Sequence, residues 1–98
     1  MNILKNINPP INSEDFTTLL THKNIKIVRI ISSDNLDTIE YIQDEDEWVL
    51  IIEGRATIKM NNKLHNLIKG DTLFIPSQTN HTIEDVENGT IWLAIHIF

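Results

Sequence analysis

Cysteine is absent from this 98-residue sequence, which excludes disulfide frameworks, Cys-ligated zinc, iron–sulfur clusters and thiol nucleophiles together. Glycine is nearly as scarce. The three present, at positions 54, 70 and 89, cannot supply a phosphate-binding loop or a dinucleotide fingerprint, and neither a G-x-S-x-G elbow nor an H-E-x-x-H pair occurs. Positive charge is thin: 8 Lys+Arg against 14 Asp+Glu leave a net charge of −6, and the basic residues are scattered from Lys5 to Lys69 instead of forming a stripe. Such a chain repels phosphate backbones, so no nucleic-acid partner is expected. No run approaches the ~18 apolar residues of a membrane span, and the opening Met1-Asn-Ile-Leu-Lys-Asn lacks the apolar stretch of a secretory signal. The expectation is a cytoplasmic protein with no membrane partner.

What the sequence does contain is enough apolar material, 41% of its residues, for one small core. Pro9 and Pro10 forbid regular structure locally, so the first ten residues read as an extended arm. Asn12 or Ser13 as a cap, Glu14 and Asp15 at a positive helix end, and Phe16, Leu19 and Leu20 at helical spacing predict a short helix up to about Thr21. Residues 1–24 are thus expected to form an arm and a short helix. From Ile25 the apolar period becomes two and β-branched residues dominate, with turn-forming interruptions at Ser32-Ser33-Asp34-Asn35, Asn61-Asn62, Lys69-Gly70-Asp71 and Glu87-Asn88-Gly89.

The expected strands are Ile25–Ile31, Thr38–Gln43, Trp48–Glu53, Ala56–Met60, Leu64–Leu67, Thr72–Ile75, His81–Val86 and Ile91–Phe98, and Asn88-Gly89 reads as a hairpin turn. Many short strands closing on one another over residues 25–98 predict an all-β barrel or sandwich. Trp48, Leu50, Ile52, Ile91, Leu93 and Ile95 lie in strands that are apolar on both faces, more than one short helix can cover, so a homodimer is expected.

Two stretches, Tyr41-Ile-Gln-Asp-Glu-Asp-Glu-Trp-Val-Leu-Ile-Ile-Glu-Gly54 and Gly70-Asp-Thr-Leu-Phe-Ile-Pro-Ser-Gln-Thr-Asn-His81, resemble the two motifs of the cupin superfamily. The positions retained are Glu47, Gly54, Gly70, Pro76 and His81. The opening Gly of the first motif is Asn35, its two histidines are Tyr41 and Gln43, the middle Gly of the second motif is Gln78, and its closing Asn is Asp85. The chain is similar to small single-domain cupins whose first histidines are replaced in this way. That resemblance implies a jelly-roll barrel, the double-stranded β-helix. Asn35 tolerates positive φ almost as well as Gly and is expected to preserve the tight turn.

Alternation places Glu47 with Val49 and Ile51, His81 with Ile83 and Asp85, and Tyr41 with Gln43, on faces that point into the barrel of a cupin. An imidazole, a carboxylate and an amide oxygen converging there make Gln43, Glu47 and His81 candidate ligands of a divalent metal, with Zn, Fe, Mn and Ni not distinguished. The same residues also read as a hydrogen-bonded polar pair retained from a metal-binding ancestor. Tyr41 is a candidate for hydrogen-bonding a small polar molecule. His96, alternating with Trp92 and Ala94, either points inward as a further ligand or packs in the core or an interface. Asp44, Glu45 and Asp46 read as a solvated turn, His22 and His65 as surface or turn residues, and Trp48 and Trp92 as packing or interface anchors. Three functions remain open on these residues: a small metal-dependent enzyme, a metal-free small-molecule binder, and a non-catalytic dimeric cupin.

Overall fold

The computed structural model describes residues 1–36 and 40–98. Eight strands follow one another as β1 (Glu14–His22), β2 (Ile25–Ser32), β3 (Asp46–Glu53), β4 (Arg55–Met60), β5 (Lys63–Ile68), β6 (Thr72–Ile75), β7 (His81–Val86) and β8 (Thr90–Ile97). They pair antiparallel in two sheets, five strands in the order β1-β2-β8-β3-β6 and three in the order β5-β4-β7. The chain changes sheets between β3 and β4, between β5 and β6, between β6 and β7 and between β7 and β8, and the result is an all-β jelly roll. Thr38 and Ile39, which open the expected strand Thr38–Gln43, lie outside the described residues; Tyr41 within that span makes an isolated bridge to His81.

The expected helix is replaced by β1. Glu14, Phe16 and Thr18 pair with Ser32, Ile30 and Val28 of β2, and a bulge between Thr18 and Leu20 then shifts the register so that Leu20 faces Ile27. That inserted residue is what gave Phe16, Leu19 and Leu20 their helix-like spacing: a bulge turns a period of two into an apparent step of three or four. Thr17, Thr18 and Thr21 suit the strand, and pairing along β2 overrides the local capping pattern.

Alternation holds elsewhere. In β3 Glu47, Val49 and Ile51 are buried while Trp48, Leu50 and Ile52 are half-buried, and in β4 Ala56 and Ile58 face the core. The interior between the sheets is filled by Val28, Ile30, Val49, Ile51, Ile58 and Trp92 among others; each fully buried aliphatic side chain contributes about 1.5–3 kcal/mol. Asn61 and Asn62, at φ 51° and 62°, form the two-residue reversal that joins β4 to β5. Asn88-Gly89 is not a hairpin turn, because β7 and β8 belong to different sheets and the turn carries the chain across between them.

The five-stranded sheet has an outward face as well. Leu20, Ile27, Ile95, Trp48 and Phe74 stand opposite one another in successive pairings and form an apolar row across all five strands. Both ends of the row, Leu20 and Phe74, are half exposed. Beside it the irregular N-terminal arm is pinned by Arg29, which is 4% exposed. Its guanidinium donates to the carbonyls of Ile3 at 3.3 Å, Lys5 at 2.8 Å and Asn6 at 3.4 Å.

Candidate functional site

A cavity of about 130 Å³ lies between the sheets, and Tyr41, Gln43, Glu47, His81 and His96 all line it. Glu47 is inward because β3 alternates, and its register partners are His96 on β8 and Ile75 on β6. Gln43 precedes β3 and donates its side-chain amide N–H to Glu47 Oε1 at 2.9 Å, while its backbone carbonyl accepts the Gln78 backbone N–H at 2.8 Å. The loop after Pro76 is thereby tied to the segment before β3. Gln78 has φ 59°, the left-handed backbone for which the motif uses glycine. Asn35, by contrast, is not among the positive-φ residues; it holds its turn through a side-chain bond to Asn12 and a backbone bond in which its carbonyl accepts the Ser13 N–H at 2.9 Å.

His81 opens β7 and exchanges backbone hydrogen bonds with Tyr41 at 2.8 and 3.0 Å, and the two rings stack with centroids 5.7 Å apart. Its Nδ1 lies 3.1 Å from the Thr79 carbonyl. A carbonyl only accepts, so the Nδ1 proton is held there and Nε2 is left as the functional edge. His96 places Nδ1 3.2 Å from Glu45 Oε2 and Nε2 3.8 Å from Glu47 Oε2. The first approach is within ion-pair range but lacks hydrogen-bond alignment, and Nδ1 is buried without a hydrogen-bond partner.

Three acidic or hydroxyl groups of the site were not expected from sequence. Glu14, read there as a helix-end charge, points inward from β1 and lines the cavity. Its Oε2 accepts the Ser32 hydroxyl at 2.6 Å, and Ser32 Oγ in turn accepts the Trp92 indole N–H at 3.0 Å. Burial pushes the Glu14 carboxyl above its ordinary value, the nearby Glu47 charge adds to the rise, and the Ser32 hydrogen bond partly offsets it. Glu45 is not a solvated turn residue: its side chain is 17% exposed and faces His96. The signal was present, since Glu45 and Glu47 are two apart and share a face.

Asp85 departs in the other direction. A bulge between Thr57 and Ile58 sets Thr57 opposite Asp85 but Ile58 opposite Ile83, so Asp85 turns outward and pairs with Arg55 at 3.0 Å. Trp92 is 3% exposed and lines the cavity, combining a packing role with a place in the Glu14–Ser32 chain.

The residues do not fit a resident divalent ion. Among the described residues no three His, Asp or Glu side chains are grouped closely enough to hold one. Gln43 turns an N–H toward Glu47, a donor where a cation needs an acceptor, and the other Glu47 oxygen is opposed by His96.

Comparison with known proteins agrees with this architecture. A structure from Ralstonia eutropha JMP134, described as a candidate mannose-6-phosphate isomerase, superposes with a TM-score of 0.87 at 30% identity, covering 99% of this chain and 95% of that one. A cupin superfamily protein from Desulfitobacterium hafniense gives a TM-score of 0.74 at 22% identity over 89% of this chain and 79% of its own. In sequence, an uncharacterised protein of Methanocaldococcus jannaschii is 40% identical over 43 residues, 44% of this chain and only 34% of that protein. No family model matches the sequence. With the two motifs, the jelly roll and these neighbours together, the chain belongs to the cupin superfamily, as a small cupin domain protein.

Proposed function

We propose that this cupin binds a small polar molecule in its cavity without a resident metal. The observation that carries the reading is the way the polar groups are spent. Gln43, Glu47 and His96 are directed at one another across β3 and β8, and His81 keeps one nitrogen edge for the cavity, so the site offers hydrogen bonds at fixed positions in an otherwise apolar enclosure. The volume of about 130 Å³ is close to that of an engineered cavity that admits benzene, roughly 150 Å³. It suits an occupant of about six heavy atoms.

The test is thermal unfolding of the full chain against a panel of small polar compounds, with and without a chelator. Stabilisation by an occupant raises the melting temperature by mass action. A rise that persists with chelator and is lost in His81→Ala supports the reading. A stoichiometric divalent metal retained through purification without added metal, and lost in Glu47→Ala, overturns the metal-free part of it.

A second reading concerns assembly and rests on the apolar row Leu20–Ile27–Ile95–Trp48–Phe74 on the outward face. A face of this kind, crossing a whole sheet, is suited to a homodimer in which two such sheets pack back to back. Sedimentation should give a dimer at micromolar concentration and a folded monomer for Trp48→Asp; a monomeric parent removes the reading.

A further inference from the structure

We propose that the occupant of the cavity is a small organic cation, a compact primary amine, and not a phosphorylated sugar. The proposal rests on the small-molecule reading above and adds the sign of charge. Glu14 reaches the cavity from β1 and Glu47 from β3, and Glu45 stands behind His96. Against these three carboxylates, two lining the cavity and one behind His96, are two imidazoles, His81 and His96, so the site is acidic wherever the carboxylates are ionised and the rings neutral. No lysine or arginine is among the described residues that line it. Three other cations are committed elsewhere: Arg29 to the arm carbonyls on the outward face, Arg55 to Asp85, and Lys69 to Glu53.

A phosphate group needs donors and positive charge, which this lining does not provide. An ammonium supplies what it lacks. Glu14 and Glu47 stand at different levels of the sheet, Glu47 beside His96 near the end of β8 and Glu14 beside Ser32, which pairs with Thr90 at its start. Between them the wall is Trp92, Ile30 and Phe16. A short hydrocarbon chain fits that wall, and its amine meets a carboxylate at either level. Glu47 is 7% exposed, and a charge so buried gains most from an opposite charge brought into the same low-dielectric space.

Binding should also depend on pH through Glu14. The groups facing it are the Ser32 hydroxyl on β2 and the Glu47 carboxylate on β3, with Tyr41, His81 on β7 and His96 on β8 completing the polar lining. An amine prefers the ionised carboxylate, so its affinity rises as pH climbs through the titration of Glu14.

Calorimetric titration of the full chain at pH 7.5 with butane-1,4-diamine, propylamine, butane-1,4-diol, inorganic phosphate and mannose 6-phosphate tests the proposal. The amines are expected to bind, at least ten-fold more tightly than the diol, and phosphate and sugar phosphate not at all. Glu47→Gln should weaken amine binding ten-fold or more. Glu14→Gln, with its fold verified by circular dichroism, should weaken it less and reduce the gain in affinity between pH 5 and 7.5. Equal or tighter binding of the diol or of either phosphate overturns the cation and leaves the small-molecule reading standing. Silence toward all five probes from a folded parent overturns both.

Discussion

The two ends of the barrel solve the same problem, where strands β3 and β8 run out, in opposite ways. At one end Gly54 crosses from β3 to β4 with φ 92°, and a methyl group placed on it would lie 2.9 Å from the Thr90 backbone Cα. Thr90, fully buried, brings its hydroxyl to 2.7 Å from the Glu87 carbonyl and 3.1 Å from that of Arg55. Among the described residues no buried side-chain polar atom is left without a partner there. At the other end Glu47 and His96 meet with separations too long for a hydrogen bond, His96 Nδ1 lacks an aligned partner, and His81 presents a ring edge to the cavity. The first end is closed by satisfied contacts and the second keeps polar groups that packing does not consume, which is the division expected of a rigid scaffold carrying groups it does not need for folding.

Substitutions that separate the two roles should follow in a definite order of size. Gly54→Ala combines left-handed strain with a clash against backbone and should cost about 3–5 kcal/mol, a large part of the stability of a domain this small. Gly70, at φ 89° with nothing within 4 Å of an added methyl, isolates the conformational part, and Gly70→Ala should cost only about 1–2 kcal/mol. Urea denaturation of both variants measures the difference, and equal losses would mean that the Thr90 contact is not what closes this end. Thr90→Val keeps the shape but removes the hydroxyl from the carbonyls of Glu87 and Arg55, at a cost of roughly 1–3 kcal/mol by the same assay.

Glu14→Gln tests the cavity lining through pH, on the side where Glu14 stands beside Ser32, the partner of Thr90. The folded-state value of Glu14 lies above its unfolded 4.5, so the folded chain holds a proton that the unfolded chain has released. The stabilisation is complete below pH 4.5 and is lost as pH rises through the folded value. The variant should therefore gain melting temperature relative to the parent between pH 4 and pH 8, as measured by calorimetry; a constant difference would place Glu14 in water. The smallest effect belongs to Arg55→Ala. The Arg55–Asp85 pair has side chains 56% and 64% exposed, so its loss should change stability by no more than about 0.5 kcal/mol and leave binding untouched.

The fold was readable because its constraints are local. Gly54, Gly70 and Pro76 sit at strand ends where backbone geometry demands them, and β-branched runs of period two leave few alternatives. The cavity-lining positions of Glu47 and His96 follow from the same alternation, since a residue two positions from Val49 or Ala94 shares its face, whereas Tyr41, Gln43 and His81 are directed there by the resemblance. Glu14 was hidden for the complementary reason. Its inward orientation depends on pairing with Ser32, a partner far along the chain, and the bulge after Thr18 disguised the strand as a helix. A bulge likewise reversed Asp85. Period-two reasoning carries through a strand only as far as its first irregularity, and one extra residue inverts every assignment beyond it.

Arg29 makes the opening segment more than a loose tail. Three of that segment's backbone oxygens are the guanidinium's sole protein acceptors among the described residues, and no carboxylate stands in for them. Trimming residues 1–6 would strand a cation on the back of the main sheet. A purification tag is therefore better appended after Phe98, and a truncated variant that loses solubility would be reporting on a severed tether, with the barrel's interior uninvolved.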